Sequence, residues 1–296
     1  MIEDIKRSLA VSFDANPIFD KNNIGNDNTF EDKTITFILR LSQIFNVKFD
    51  NLYEKLKTFS LKPLSIYSNK GFVDYNPVEN VGYLSLTALQ NDEDNNFNID
   101  NLFNQILLMV LTSKDNYYGF GNEEILNSLN RACTYMIASN LSGSAQKNFH
   151  EEELITLNLL DLTLEGTKSN IDFVTSYLQN NGTILKQELN KYGITDDILN
   201  EINYLSQAKM SKLNMPEQFA RIENKINRNF ALQVSNGVIV DGDIISRYQS
   251  NLLNDEVLDY SHNGMDKTRS NMVKAVDYLN QQRNININNG QVMQKV

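Results

Sequence analysis

Apolar residues recur at helical spacing along most of the chain and alternate with polar ones in one short stretch. After a polar, Asn/Asp-rich loop over 16–32, Ile35, Ile38, Leu39, Leu41, Ile44 and Phe45 predict a helix over 31–45. A second short helix is expected over 50–59. The period then falls to two in Leu64–Ser68, Gly71–Tyr75 and Val81–Leu86, with turn residues at Asn69-Lys70-Gly71 and from Asn76-Pro77 to Asn80. These are three strands of a small antiparallel sheet. Helical spacing returns over 98–113, after the polar run Asn91–Asn96, and over 122–141, after the loop Tyr117-Tyr118-Gly119-Phe120-Gly121. Asn122 suits an N-cap there, with Glu123 and Glu124 in the positive first turn.

Beyond Ser142-Gly143-Ser144 every periodic segment is helical: 151–164, 170–178, 184–192, 196–212, 216–234, 243–253 and 266–282. Thr195-Asp196-Asp197 and Met215-Pro216-Glu217 are strong helix starts. Asn236–Asp243 reads as a turn and a short strand, and the polar tail over 283–296 as frayed. The pattern therefore predicts an α+β protein with two domains. An α+β domain spans 1–145, with a small antiparallel sheet and a pair of helices, and an all-helical domain spans 146–296.

The two central helices differ in kind. On the first, Ile99, Leu102, Phe103, Ile106, Leu107, Val110 and Leu111 form one wide apolar face. Asn104 and Leu108, four residues apart, share the opposite side, flanked by Met109. A leucine there predicts a helix covered on both sides. The second helix carries one stripe, Ile125, Leu126, Leu129, Ala132, Cys133, Met136 and Ile137, with Asn130, Arg131 and Thr134 off it. On the residues alone this is a buried helix beside an amphipathic one, within an unrelated mixed α+β protein.

Composition narrows the chemistry. The chain has 27 Lys+Arg against 37 Asp+Glu, a net charge of −10, and no polybasic run. That argues against nucleic-acid and anionic-membrane partners. No apolar run reaches the ~18–20 residues that span a bilayer, and the N-terminus lacks a secretory pattern, so a cytoplasmic location is expected. The single cysteine, Cys133, forms no internal disulfide. Only His150 and His262 are available for a His-based metal or triad site. Asparagine occurs 43 times and Lys outnumbers Arg by 19 to 8, the bias of an A+T-rich genome. Most individual asparagines therefore carry little functional weight.

The order of elements resembles the zincin metalloproteases of the gluzincin type. A sheet ends in a strand, and a doubly covered helix, a Gly-containing loop and a second helix follow. Phe103-Asn104-Gln105-Ile106-Leu107-Leu108-Met109 resembles that family's His-Glu-Leu-Leu-His-Met run with its polar letters replaced. Leu129-Asn130-Arg131-Ala132-Cys133-Thr134-Tyr135 resembles its Asn-Glu-Gly-x-Thr-Glu run. The likeness covers about 64–141. It places Asn104 and Leu108 at the two zinc histidines, Gln105 at the general base and Arg131 at the third ligand. Leu108 and Arg131 stand 23 positions apart, within the family's range. The resemblance also implies that the chemistry is lost. Leucine has no lone pair for zinc, amides bind it poorly, a guanidinium repels it, and glutamine takes no proton from water. Arg131 reads either as a stand-in for the absent metal's volume and charge or as part of a solvated face.

Other candidates reduce to structure. His150-Glu151-Glu152-Glu153 lacks a second histidine and reads as the acidic first turn of a helix. Asn91–Asn96 resembles a calcium loop only in composition. Gly119-Phe120-Gly121 lacks the Lys and Ser/Thr of a phosphate loop, and Glu123 and Glu124 would repel an anion. Cys133 lies on a core stripe, as an inert thiol does. The expectation is a non-enzymatic, zincin-like protein with no metal, no cofactor and no catalytic residue, acting as a protein-binding or scaffold module. Its groove would accept an extended peptide at a sheet edge, as the resemblance implies. The alternative is a structural or assembly subunit, for example of a phage, whose helical half self-associates; virion association belongs to that reading. An enzyme using carboxylates alone ranks last, because no paired-acid motif is identifiable.

Overall fold

The computed structural model describes residues 58–64, 73–85, 99–112, 119–121, 123–142, 151–210 and 215–253, together with Thr36 and Lys55. It is an α+β protein whose bulk is helical. Three strands form one sheet: β1 (Ser60–Leu64), β2 (Val73–Asn76) and β3 (Val81–Ser85), in the order β1-β3-β2. β2 and β3 are the expected antiparallel hairpin, with Val73 opposite Leu84 and Asn76 opposite Val81. The Asn76 side chain closes the turn by accepting from the Val78 and Glu79 N–H groups at 2.9 and 3.3 Å, an Asx turn. Asn80 supplies the left-handed residue at φ 55°. Its amide donates to the Lys55 carbonyl at 2.7 Å and to Thr58 Oγ1 at 2.8 Å, and its Oδ1 accepts from Tyr75 Oη at 2.8 Å.

The third strand departs from expectation. β1 pairs parallel to β3, with Ser60 opposite Val81, and it lies earlier than the alternating run at Leu64–Ser68 had suggested. Its sequence, Ser-Leu-Lys-Pro-Leu, hides it, because Lys and Pro break the alternation. Proline is tolerated because β1 lies at the edge of the sheet, where a missing ladder donor costs least.

Eight α-helices follow among the described residues: α1 (Ile99–Thr112), α2 (Asn127–Ser142), α3 (Glu151–Gly166), α4 (Phe173–Leu178), α5 (Gly182–Lys191), α6 (Asp196–Met210), α7 (Met215–Ser235) and α8 (Gly242–Leu253). The segment before α2 is not one continuous helix: a 3-10 turn at Glu124–Leu126 precedes it. Asn122, the expected cap, lies outside the described residues. So do the expected helix over 266–282 and the tail; of the helices expected over 31–45 and 50–59, only the helical Thr36 and Lys55, the Thr58 turn and Phe59 are described. No strand forms over the described residues 236–253. Instead α7 ends in a Schellman motif: Gly237 adopts φ 71°, its N–H donates to the Val234 carbonyl at 3.1 Å, and the Val238 N–H donates to the Gln233 carbonyl at 2.9 Å.

The chain divides into two compact units: the described residues of 1–119 with 134–149, and those of 120–133 with 150–296. The chain passes from one unit to the other within α2. In the first unit α1 packs on β2 and β3. Val73 and Leu84, opposite each other on one sheet face, are buried, whereas the exposed Lys62 and the half-exposed Tyr83 and Asp74 form a row on the other. In the second unit α3 is the central helix, contacted by α6, α7 and α8. It is buried nearly all round, acids of its first turn included, as a helix enclosed by others must be.

Candidate functional site

The strongest sequence candidate, α1, is covered on both sides. Leu102, Ile106, Leu107, Val110 and Leu111 are buried on the wide face. On the opposite side Leu108 is 0% exposed, Gln105 1% and Asn104 8%. The three residues that the resemblance matches to a histidine, the general base and the second histidine are thus buried. Asn104 is held there by its amide, which donates to the Ala138 carbonyl of α2 at 3.5 Å. That carbonyl is seven residues, about two turns, from Arg131 along α2. Arg131 belongs to the second unit and is half-exposed.

The residues around Arg131 have structural work. Asn130 Oδ1 accepts from the Phe120 N–H at 3.1 Å and so ties the glycine-flanked loop to α2. Gly119 and Gly121 carry the positive φ values, 91° and 64°, that let Phe120 turn inward. Its ring meets Phe173 and Tyr177 edge-on at 6.1 and 5.8 Å. The loop holds no anion-seeking cation: Glu123 is instead paired with Lys186 at 3.2 Å and bonded by Thr183 Oγ1 at 2.9 Å. Cys133 is fully buried 3.8 Å from the Phe173 carbonyl. Burial pushes its thiol well above the ordinary range, with the charges of Asp161 and Asp172 adding to the shift. That is the opposite of an activated nucleophile.

Comparison with protein-family models, with curated proteins and with solved structures gives no match to this chain. Among the described residues, no three His, Cys, Asp or Glu side chains gather where they could hold a metal ion. No described helix is long and apolar enough to cross a membrane. The Asn91–Asn96 run and His150 lie outside the described residues.

The helical unit contains buried acids that periodicity did not single out. Glu151, Glu152 and Glu153 open α3 as expected, yet they are 3%, 5% and 0% exposed rather than solvated. Asp161 accepts from the Phe173 N–H at 3.4 Å, and burial raises its carboxyl above the usual range. Glu223 is the extreme case. It lies on α7 among Phe219, Ile222, Ile226 and Phe230, 1% exposed, and neither carboxylate oxygen has a hydrogen-bond partner among the described residues. Burial pushes its carboxyl up to about 8. The available signal was its spacing: four residues after Phe219 and seven before Phe230, it sits on the apolar stripe of α7.

Proposed function

We propose that this chain is a non-catalytic protein that serves as a protein-binding or scaffold module, built on a zincin-like helix pair whose metal chemistry has been lost. The observation that carries the reading is the interior position of Asn104, Gln105 and Leu108 on α1. A metalloprotease needs these positions at an open floor where water and a peptide carbonyl reach the metal. Here an amide, a second amide and a leucine fill the volume, so α1 contributes packing where a protease helix contributes ligands.

A second reading, an assembly subunit, is favoured by exposed apolar side chains in the helical unit. Leu232, Val238 and Val240 project around the end of α7, at 51%, 42% and 68% exposure.

Restoring the motif tests the ancestry part of the proposal. Asn104→His, Gln105→Glu, Leu108→His and Arg131→Glu together should yield a chain that binds zinc more tightly than the same chain without the Arg131 change. The backbone alone must supply the geometry, so affinity should fall ~10–100-fold below that of a site with an intact outer shell. A folded quadruple variant that binds zinc no better than the unmodified chain removes the zincin-like element and leaves the scaffold reading on α1 packing alone.

A further inference from the structure

The unpartnered Glu223 lies on the face of α7 that receives α8. One turn further along that face is Asn227, and another turn on is Phe230. From α8, Tyr248 enters this seam fully buried. Its hydroxyl donates to Asn227 Oδ1 at 2.8 Å, and its ring stacks on Phe230 with centroids 3.6 Å apart and planes 13° from parallel. Among the described residues no charged group offsets the burial of Glu223. We propose that the docking of α8 on α7 is proton-gated through Glu223: the neutral acid is accommodated in the closed seam, and the carboxylate is accommodated only when α8 lifts and water reaches it.

The surrounding charges leave Glu223 to itself. From α8 the titratable group facing it is Tyr248, whose own ionisation is suppressed by burial and by the charge of Glu223. α6 places Glu201 against α7, but that carboxylate meets Lys225 at 2.6 Å and Arg221 at 3.7 Å. On α3, Glu165 is engaged by Arg247 of α8 at 2.7 Å, on the exposed side of that helix pair. Neither these groups nor Glu151, Glu152, Glu153 and Asp161 displace Glu223; burial alone does.

The sign follows from proton linkage. With α8 lifted, Glu223 is hydrated and titrates near the ordinary glutamate value of ~4.3; in the closed seam it holds its proton up to about pH 8. Between those limits the closed form binds one proton more than the open form. Each unit of rising pH therefore increases the open fraction about tenfold, and the rise stops above pH ~8. Tyr248 joins α8 to α7 through its hydroxyl and its stacked ring; α8 also packs along α3, where the buried Ile244 lies beside Gly166, so lifting it opens that contact as well, whereas the Arg247–Glu165 pair is exposed and contributes little.

Hydrogen exchange of the full chain, followed by peptide mass spectrometry between pH 6 and 9 and corrected for intrinsic exchange rates, reads the opening directly. Protection of the α8 amides should fall about tenfold per pH unit up to pH ~7, roughly 50-fold from pH 6 to 8, and then level off. Central α7 amides should keep their protection. Glu223→Gln should abolish the slope. Tyr248→Phe, which keeps the stack and loses the hydroxyl, should lower α8 protection at every pH and keep the slope. A flat profile in the unmodified chain, an unchanged slope in Glu223→Gln, or loss of protection in α7 together with α8 would each overturn the proposal.

Discussion

Leu108 shows how much one side chain discloses. A leucine opposite a seven-residue apolar face has no reason to be there unless something covers it, and it is fully buried. Leu107→Ala and Leu108→Ala should therefore cost similar amounts, ~2–5 kcal/mol each in denaturant titrations, because both leave cavities in a packed interior. A near-neutral Leu108→Ala would mean that the second face is not closed. Gly182 carries a different constraint. A Cβ built there would lie 2.0 Å from the Phe120 carbonyl oxygen, a backbone atom that no rotamer change can move. Gly182→Ala should destabilise by ~1–3 kcal/mol or more, and the same substitution at Gly237, where nothing lies within 4 Å, should cost less and only through its positive φ. Comparing the two denaturation midpoints separates close approach from backbone strain.

Among the elements, the helices of the second unit were legible because their signals are local. Asp196 and Asp197 begin α6 and Pro216 sits in the first turn of α7, within a residue of where the spacing placed them. Asp172 is a working cap: its Oδ1 accepts from the Thr175 N–H at 2.7 Å. Asp172→Ala should cost ~0.5–2 kcal/mol, with exchange protection lost first in the six residues of α4. What was not legible depends on long-range pairing. The parallel position of β1 follows from its place beside β3, not from its own letters. The burial of Glu151, Glu152, Glu153 and Glu223 follows from helices packed over them, which a charge count cannot reveal. Of the candidate site, the apolar frame of α1 was readable from its periodicity. The hydrogen bond from Asn104 to Ala138, and the bond that Asn130 accepts from Phe120, join residues 34 and 10 apart and leave no pattern in the sequence.

For the whole molecule, the described residues form helices and a small mixed sheet, and they bury polar groups on α1, α3 and α7. Asn130, Gly182 and Glu123 fix a loop that could have been mistaken for an anion cradle. Cys133 is sealed in a core. The account's central claim is that the α1 positions matched to a zinc motif hold no metal and perform no hydrolysis. The most direct test is zinc analysis of the purified chain, combined with a peptide-cleavage assay run with and without a chelator. The account predicts no stoichiometric zinc and no chelator-sensitive cleavage. Stoichiometric zinc that is lost on substitution of Asn104 or Gln105, or cleavage that a chelator abolishes, would contradict it.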